Sequence, residues 1–237
     1  MMTLEIMADS EGRHLLPGFD AALEQLSAHI LLMGTLARRN LSNAKVGFRD
    51  RDDDHCVAVI ADDEEVDLLE KEVDKEGTAI LLRFQPMTFD LRRVLATIKL
   101  GNHLERLSDQ VVVIARRVRK LNEEPPLMEA NQLAPVFDAL EKALIEALDA
   151  FASFDSTKSA RVRVGMELLA EKARALEDEF TDLIGEQMMR SRYIINLIAI
   201  SQSVERIAYA IENIAEEATY VAEARDVRHA GNRLAID

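Results

Sequence analysis

Residues 100–121, LGNHLERLSDQVVVIARRVRKL, place Leu100, Leu104, Leu107, Val111, Ile114, Val118 and Leu121 at alternating intervals of four and three. That spacing lays an apolar stripe along one side of a helix and is the seam pattern of coiled-coil-like packing. One hundred residues later, Ile200, Val204, Ile207, Ile211, Ile214, Ala218 and Val221 repeat it position for position. Glu105-Arg106-Leu107-Ser108-Asp109 returns there as Glu205-Arg206-Ile207-Ala208-Tyr209. The chain thus reads as an internal duplication, all-α, with two tandem three-helix bundles of up-and-down helices.

Outward from this stretch, prolines and polar clusters mark the helix ends. Pro17 opens a first helix over about 17–48, with Phe19, Leu23, Leu26, Ile30, Met33, Ala37, Leu41 and Ala44 on its apolar face. Asp50, Asp52, Asp53 and Asp54 supply a turn and negative charge for the next helix N-terminus. A single second helix then runs through Val59, Val66, Leu69, Val73, Ile80 and Leu81 to Gln85-Pro86. The third spans 87–121, and Asn122-Glu123-Glu124-Pro125-Pro126 separates the halves. A fourth helix covers 135–154, a fifth follows Ser156-Thr157 as cap, and the sixth carries the repeated stripe. The organisation expected is a tail 1–16, a first repeat 17–122, a linker 123–134, a second repeat 135–226 and a tail 227–237.

Composition agrees with long helices: among 237 residues there are 9 Gly, 5 Pro and no Trp. The formal net charge of −14 argues against nucleic acid, which demands a basic footprint, and against an anionic membrane surface. The lone Cys56 forms no intramolecular disulfide and reads as a half-buried helix residue. With no uncharged apolar run of membrane length and an acidic N-terminus, a cytoplasmic protein without membrane insertion is expected. No nucleophile elbow or glycine-rich phosphate loop occurs, and histidines 14, 29, 55, 103 and 229 lack ligand spacing inside helices. No enzymatic activity is expected. Met188 and Met189 read as packing residues, and Arg92, Arg93 and Lys99 as a basic strip that is solvated or meets an acidic partner.

With Leu104 and Leu107 at the seam, Glu105 and Asp109 fall on the outer side of their helix, one turn apart. Asp63 and Asp67 do the same on the second helix. A tight turn at Gln85-Pro86 brings the pairs onto one surface, where the repulsion of four carboxylates favours a hard or borderline cation.

Asp63-Glu64-Glu65-Val66-Asp67, Gln85-Pro86, Asp90-Leu91-Arg92-Arg93 and Leu104-Glu105-Arg106-Leu107-Ser108-Asp109 resemble the PhoU family of phosphate-signalling regulators. In the second half, Val204-Glu205-Arg206-Ile207, Glu212-Asn213-Ile214-Ala215-Glu216 and Asp226-Val227-Arg228-His229 extend the resemblance over nearly the whole chain. It implies a non-catalytic negative regulator of the phosphate-starvation response that modulates phosphate uptake. The implied partners are the ATPase subunit of a phosphate ABC transporter and a sensor histidine kinase, the implied state a homodimer. The two rival readings are an accessory protein of another phosphate permease and a metal-binding bundle whose carboxylate surface is its whole function.

Family members carry an acid-x-x-x-Asp motif on two helices of each repeat, binding metal in some. The resemblance assigns Asp63, Asp67, Glu105 and Asp109 to a first-repeat metal site for Mg, Mn, Zn or Fe. Placing Phe180 where Val66 sits gives Glu177 and Thr181 as one second-repeat pair, with Glu205 and Tyr209 as the other. Thr181 and Tyr209 stand where aspartates are expected, so the second site is expected to be weak or lost, with Glu212 and Glu216 as a displaced alternative.

Overall fold

The computed structural model describes residues 18–225, and these are helical apart from short connections. Expectations for the two tails, for Pro17 as helix opener and for His14 and His229 lie outside the described residues. The first helix, α1 (Phe19–Asp50), follows Gly18, whose φ of 89° is left-handed, and ends at Arg51, also left-handed. After Gln85 takes up a left-handed conformation, the chain turns into α4 (Thr88–Asn122).

The expected second helix is two helices, α2 (Asp53–Ala61) and α3 (Asp63–Phe84). Asp62 sits at the break, accepts at its carbonyl from Glu65 and Val66, and is held by the Arg39 guanidinium of α1 at 2.7 Å. An ion pair from a different helix thus pins a bend that apolar spacing does not register.

The halves are joined through a 3-10 segment, Met128–Leu133, which leads into α5 (Ala134–Ser153) with Pro135 in its first turn. Next, α6 (Ser156–Glu186) is capped by Asp155, whose carboxylate accepts from the N–H groups of Thr157 and Lys158, and not by Ser156-Thr157. A short 3-10 turn, Met188–Arg190, connects to α7 (Ser191–Glu223). Met188 and Met189 are 76% and 96% exposed on that turn, so they do not pack the core as expected.

Each half contributes three packed layers, α1 with α2/α3 and α4, then α5 with α6 and α7. Both duplicated stripes are buried along their whole length. Burial on α4 extends beyond its stripe to Thr97, Ser108, Val112 and Ala115, and on α7 to Ser201, Ala208 and Ala215. Two sides of each helix are therefore covered, because α4 also packs on α7 and a single core runs through both halves. Between α3 and α4 the approach is close: a Cβ on Gly77 would lie 2.4 Å from Ile98 Cγ1.

Cys56 is fully buried, not half-buried, and burial pushes its thiol up to about 11. On length and composition alone, Met188–Glu223 is apolar enough to cross a membrane, yet 61% of its most apolar window lies inside the fold. It is the central core helix of the second repeat.

Candidate metal centre

Antiparallel packing of α3 on α4 places Asp63, Asp67 and Asp109 together, with a carboxylate oxygen from each within 4.8 Å of the others. Asp63 and Asp67 are half-buried and Asp109 is exposed, so the group lies at the rim of the helix pair. Glu105 stands outside this trio but feels Asp109, Asp67 and Glu70. Burial, then the neighbouring carboxylates, holds Asp63, Glu105 and Asp109 above the ordinary carboxylate range, with Arg116 partly offsetting this at Asp63 and Asp109. None of Asp63, Asp67, Glu105 and Asp109 enters an ion pair among the described residues. An all-oxygen donor set with uncompensated charge suits Mg²⁺, Mn²⁺ or iron better than zinc, which favours nitrogen and sulfur.

The second repeat is built differently. Arg174 Nη1 donates to Glu205 at 2.7 Å and to the Tyr209 hydroxyl at 2.8 Å, and the Tyr209 hydroxyl donates to Glu205 at 3.3 Å. A guanidinium therefore stands where a cation would bind. Glu177 does not join this group; its carboxylate accepts from Gln202 at 2.6 Å, while the Thr181 hydroxyl bonds back to the Glu177 carbonyl. Glu212 has its carboxyl raised by burial, with Arg163 lowering it and Glu167 raising it. Glu216 is buried with Arg163 Nε at 3.5 Å.

These contacts allow a second register between the repeats. Glu105 feels Glu70 after Asp109 and Asp67, and Arg174 bonds Glu205. With Glu70 matched to Arg174, Glu167 and Glu171 fall at the places of Asp63 and Asp67, where matching Val66 to Phe180 gives Glu177 and Thr181. The ten-residue difference is one heptad plus three, which carries one stripe position onto another, so apolar spacing cannot detect it. Arg174 stands where the first repeat has Glu70, and Tyr209 where it has Asp109.

The strip Arg92, Arg93 and Lys99 also has a different role from the one expected. Lys99 Nζ lies 3.3 Å from the Glu217 carboxylate and 4.9 Å from the Tyr220 ring centroid. Arg92 donates to the Val221 carbonyl, and Arg93 lies over Phe154. The strip thus binds the second repeat rather than facing open solvent. Further along, Arg206 donates to Gln110 and Arg117 to Asn196, so positions rise along α4 as they fall along α7. On the other side, Lys45 of α1 bridges Asp138 and Glu141 of α5. Sequence reasoning also missed Arg51, which donates to the carbonyls of Leu121, Asn122 and Glu124 and closes the C-terminal end of α4.

A family model described as PhoU domain matches residues 30–118 and, a second time, residues 133–218. The phosphate-specific transport system accessory protein PhoU homolog of Pseudomonas aeruginosa is 32% identical over 228 residues, 95% of this chain and 94% of its own. The protein described as phosphate-specific transport system accessory protein PhoU in Serratia marcescens is 27% identical over 226 residues, 92% of this chain and 90% of its own. Among solved structures, PhoU from Pseudomonas aeruginosa superposes with a TM-score of 0.84 at 29% identity, over 87% of this chain and all of that one. The phosphate transport system regulatory protein PhoU from Streptococcus pneumoniae shares the fold, with a TM-score of 0.80 at 24% identity over 88% of this chain and 99% of that one. The family model falls once on each half of the duplication, and the chain belongs to the PhoU domain family.

Proposed function

We propose that this protein is an accessory and negative regulator of phosphate uptake, acting in the cytoplasm through protein contacts and without catalysis. It relays the state of a phosphate ABC transporter, through the ATPase subunit, to a sensor histidine kinase, so that starvation genes stay silent when phosphate is plentiful. The observation that carries this reading is the match of one family model to both repeats, alongside relatives named for phosphate-specific transport over nearly their full length. A homodimer is part of the proposal.

The convergence of Asp63, Asp67 and Asp109 supports a metal ion on the first repeat, with Glu105 at its edge. The Arg174–Glu205–Tyr209 arrangement supports a second repeat that uses none, since its carboxylate is already neutralised. Metal on the first repeat fixes α3 against α4 and lowers the charge that a partner surface meets.

A starvation-gene reporter tests the regulatory role. Deleting the gene should switch the reporter on in high phosphate, and restoring it should silence the reporter again. Unchanged repression on deletion would remove the kinase branch and leave an accessory role at the transporter.

A further inference from the structure

We propose that the seam between α4 and α7 binds a small phosphate anion, held by Arg106 and Arg206. These arginines are the same residue of the duplicated motif, and the antiparallel crossing brings both to one cleft of about 290 Å³. His103, Gln110, Tyr209 and Asn213 complete its walls. The chain carries 43 acidic residues against 29 Lys and Arg, yet no aspartate or glutamate lines this cleft among the described residues.

The two guanidiniums are poorly satisfied within the protein. Arg206 makes one long bond, 3.4 Å, to the neutral Gln110 amide oxygen. The counterpart of Gln110 across the duplication is Ala210, which offers no acceptor. Arg106 accordingly has no hydrogen bond or ion pair among the described residues. Of the adjacent carboxylates, Glu205 is bound by Arg174, while Glu105 sits with the acidic group on the far side of α4 and is attracted to Arg106 without a hydrogen bond or ion pair to it.

Two planar forks of N–H donors around a compact cleft match a tetrahedral oxyanion, which takes paired hydrogen bonds from each. Two positive charges match a dianion better than a carboxylate. The Gln110 NH2 and the Asn213 amide add neutral donors at the same walls. The volume lies at the lower edge of the range for small-molecule pockets, about 300–1,000 Å³, and does not admit a helix. A second cleft of about 270 Å³ follows on the same seam, lined by Arg117, Lys120 and Arg192, but there Arg192 is already paired with Glu123 and Glu124, and Arg117 donates to Asn196. It lies about 16 Å further along α4 by helical rise, out of reach of an orthophosphate, pyrophosphate or tripolyphosphate seated in the first cleft. The sequence shows no backbone loop for phosphate, and here side chains from two repeats take over that task.

The inference goes beyond the regulatory reading and needs no kinase or transporter, so the reporter and the binding test fail independently. The full-length protein is titrated with orthophosphate, pyrophosphate and tripolyphosphate by calorimetry at constant ionic strength. Saturable binding is expected for all three, tightest for tripolyphosphate. Arg106→Gln with Arg206→Gln should weaken each at least tenfold, and Arg106→Lys, which keeps charge but loses the fork, should weaken orthophosphate less. Lys120→Gln, in the more distant cleft, should leave all three unchanged. The phosphate-dependent rise in melting temperature, compared between wild type and Arg106→Lys, gives the same answer should the double variant fold poorly. No saturable binding by wild type, equal binding by the double variant, or displacement by chloride at matched ionic strength would each overturn the proposal.

Discussion

Replacing Asp109 by asparagine should invert the effect of divalent metal on stability. Asp63, Asp67 and Asp109 offer oxygens within 4.8 Å of one another. Two unit charges at that separation repel by about 0.9 kcal/mol in a water-like medium and about 3.5 kcal/mol at an effective dielectric near 20. Asp109 takes part in two of the three pairs and is exposed, which puts it near the lower figure. Removing its charge should therefore stabilise the metal-free protein by about 2 kcal/mol at low salt, or about 4–8 °C in melting temperature for a chain of this size. With metal the order reverses. A cation at 100 times its Kd stabilises the wild type by about 2.7 kcal/mol, and a variant short of one ligand gains much less.

Thermal melts followed by circular dichroism, first in EDTA and then in Mg²⁺ or Mn²⁺, read both signs. The pH dependence gives a further check. Asp63, Glu105 and Asp109 have folded pKa values raised above the unfolded ones, so the folded state binds protons more tightly than the unfolded state. The cluster's cost is present at neutral pH and is relieved as pH falls through those raised values, and the asparagine variant should gain less from that fall. An Asp109→Asn protein that melts below wild type in EDTA, or gains as much from metal, would refute the electrostatic account.

Further substitutions probe separate parts of the molecule. Arg51→Ala strips the donor shared by the Leu121, Asn122 and Glu124 carbonyls and should cost about 2–3 kcal/mol in urea denaturation, where a loss under 0.5 kcal/mol would contradict the capping role. Gly77→Ala forces a methyl against Ile98 and should cost about 1–3 kcal/mol, whereas Gly165→Ala, with nothing within 4 Å, should gain about 0.5–1 kcal/mol by removing helix-interior glycine. Arg174→Ala combined with Tyr209→Asp, in an Asp109→Asn background, should restore a metal-dependent rise in melting temperature from the second repeat; absence of the rise would break the equivalence drawn between the repeats.

What the amino-acid order reveals here is whatever repeats within one helix. Leu100 through Leu121 and Ile200 through Val221 announce their burial by spacing, and every one of them is buried. The outward placement of Asp63, Asp67 and Asp109 follows from the same count, as does their meeting once Gln85 turns the chain back. Features decided by a different helix stay hidden. The break at Asp62 depends on Arg39 of α1, and the end of α4 depends on Arg51 some 70 residues earlier. The register of α6 is ambiguous because a heptad stripe tolerates the ten-residue shift, and contacts from α7 such as Arg174–Glu205 bear on it where spacing does not. The same holds for Arg92 and Lys99, which look solvated until α7 is laid across them.

That late covering has a consequence during synthesis. The first repeat is complete at Asn122, while α7 ends at Glu223, about one hundred residues later. At about 5–20 residues per second, the face of α4 destined for α7 waits in water for about 5–20 s. Around its apolar centre that face carries Arg92, Lys99, Arg106, Gln110 and Arg117, side chains that water solvates well. An apolar face there would invite the nascent chain to stick to its neighbours on the same message. A border of cations and amides keeps the apolar centre of that face small until the second half arrives.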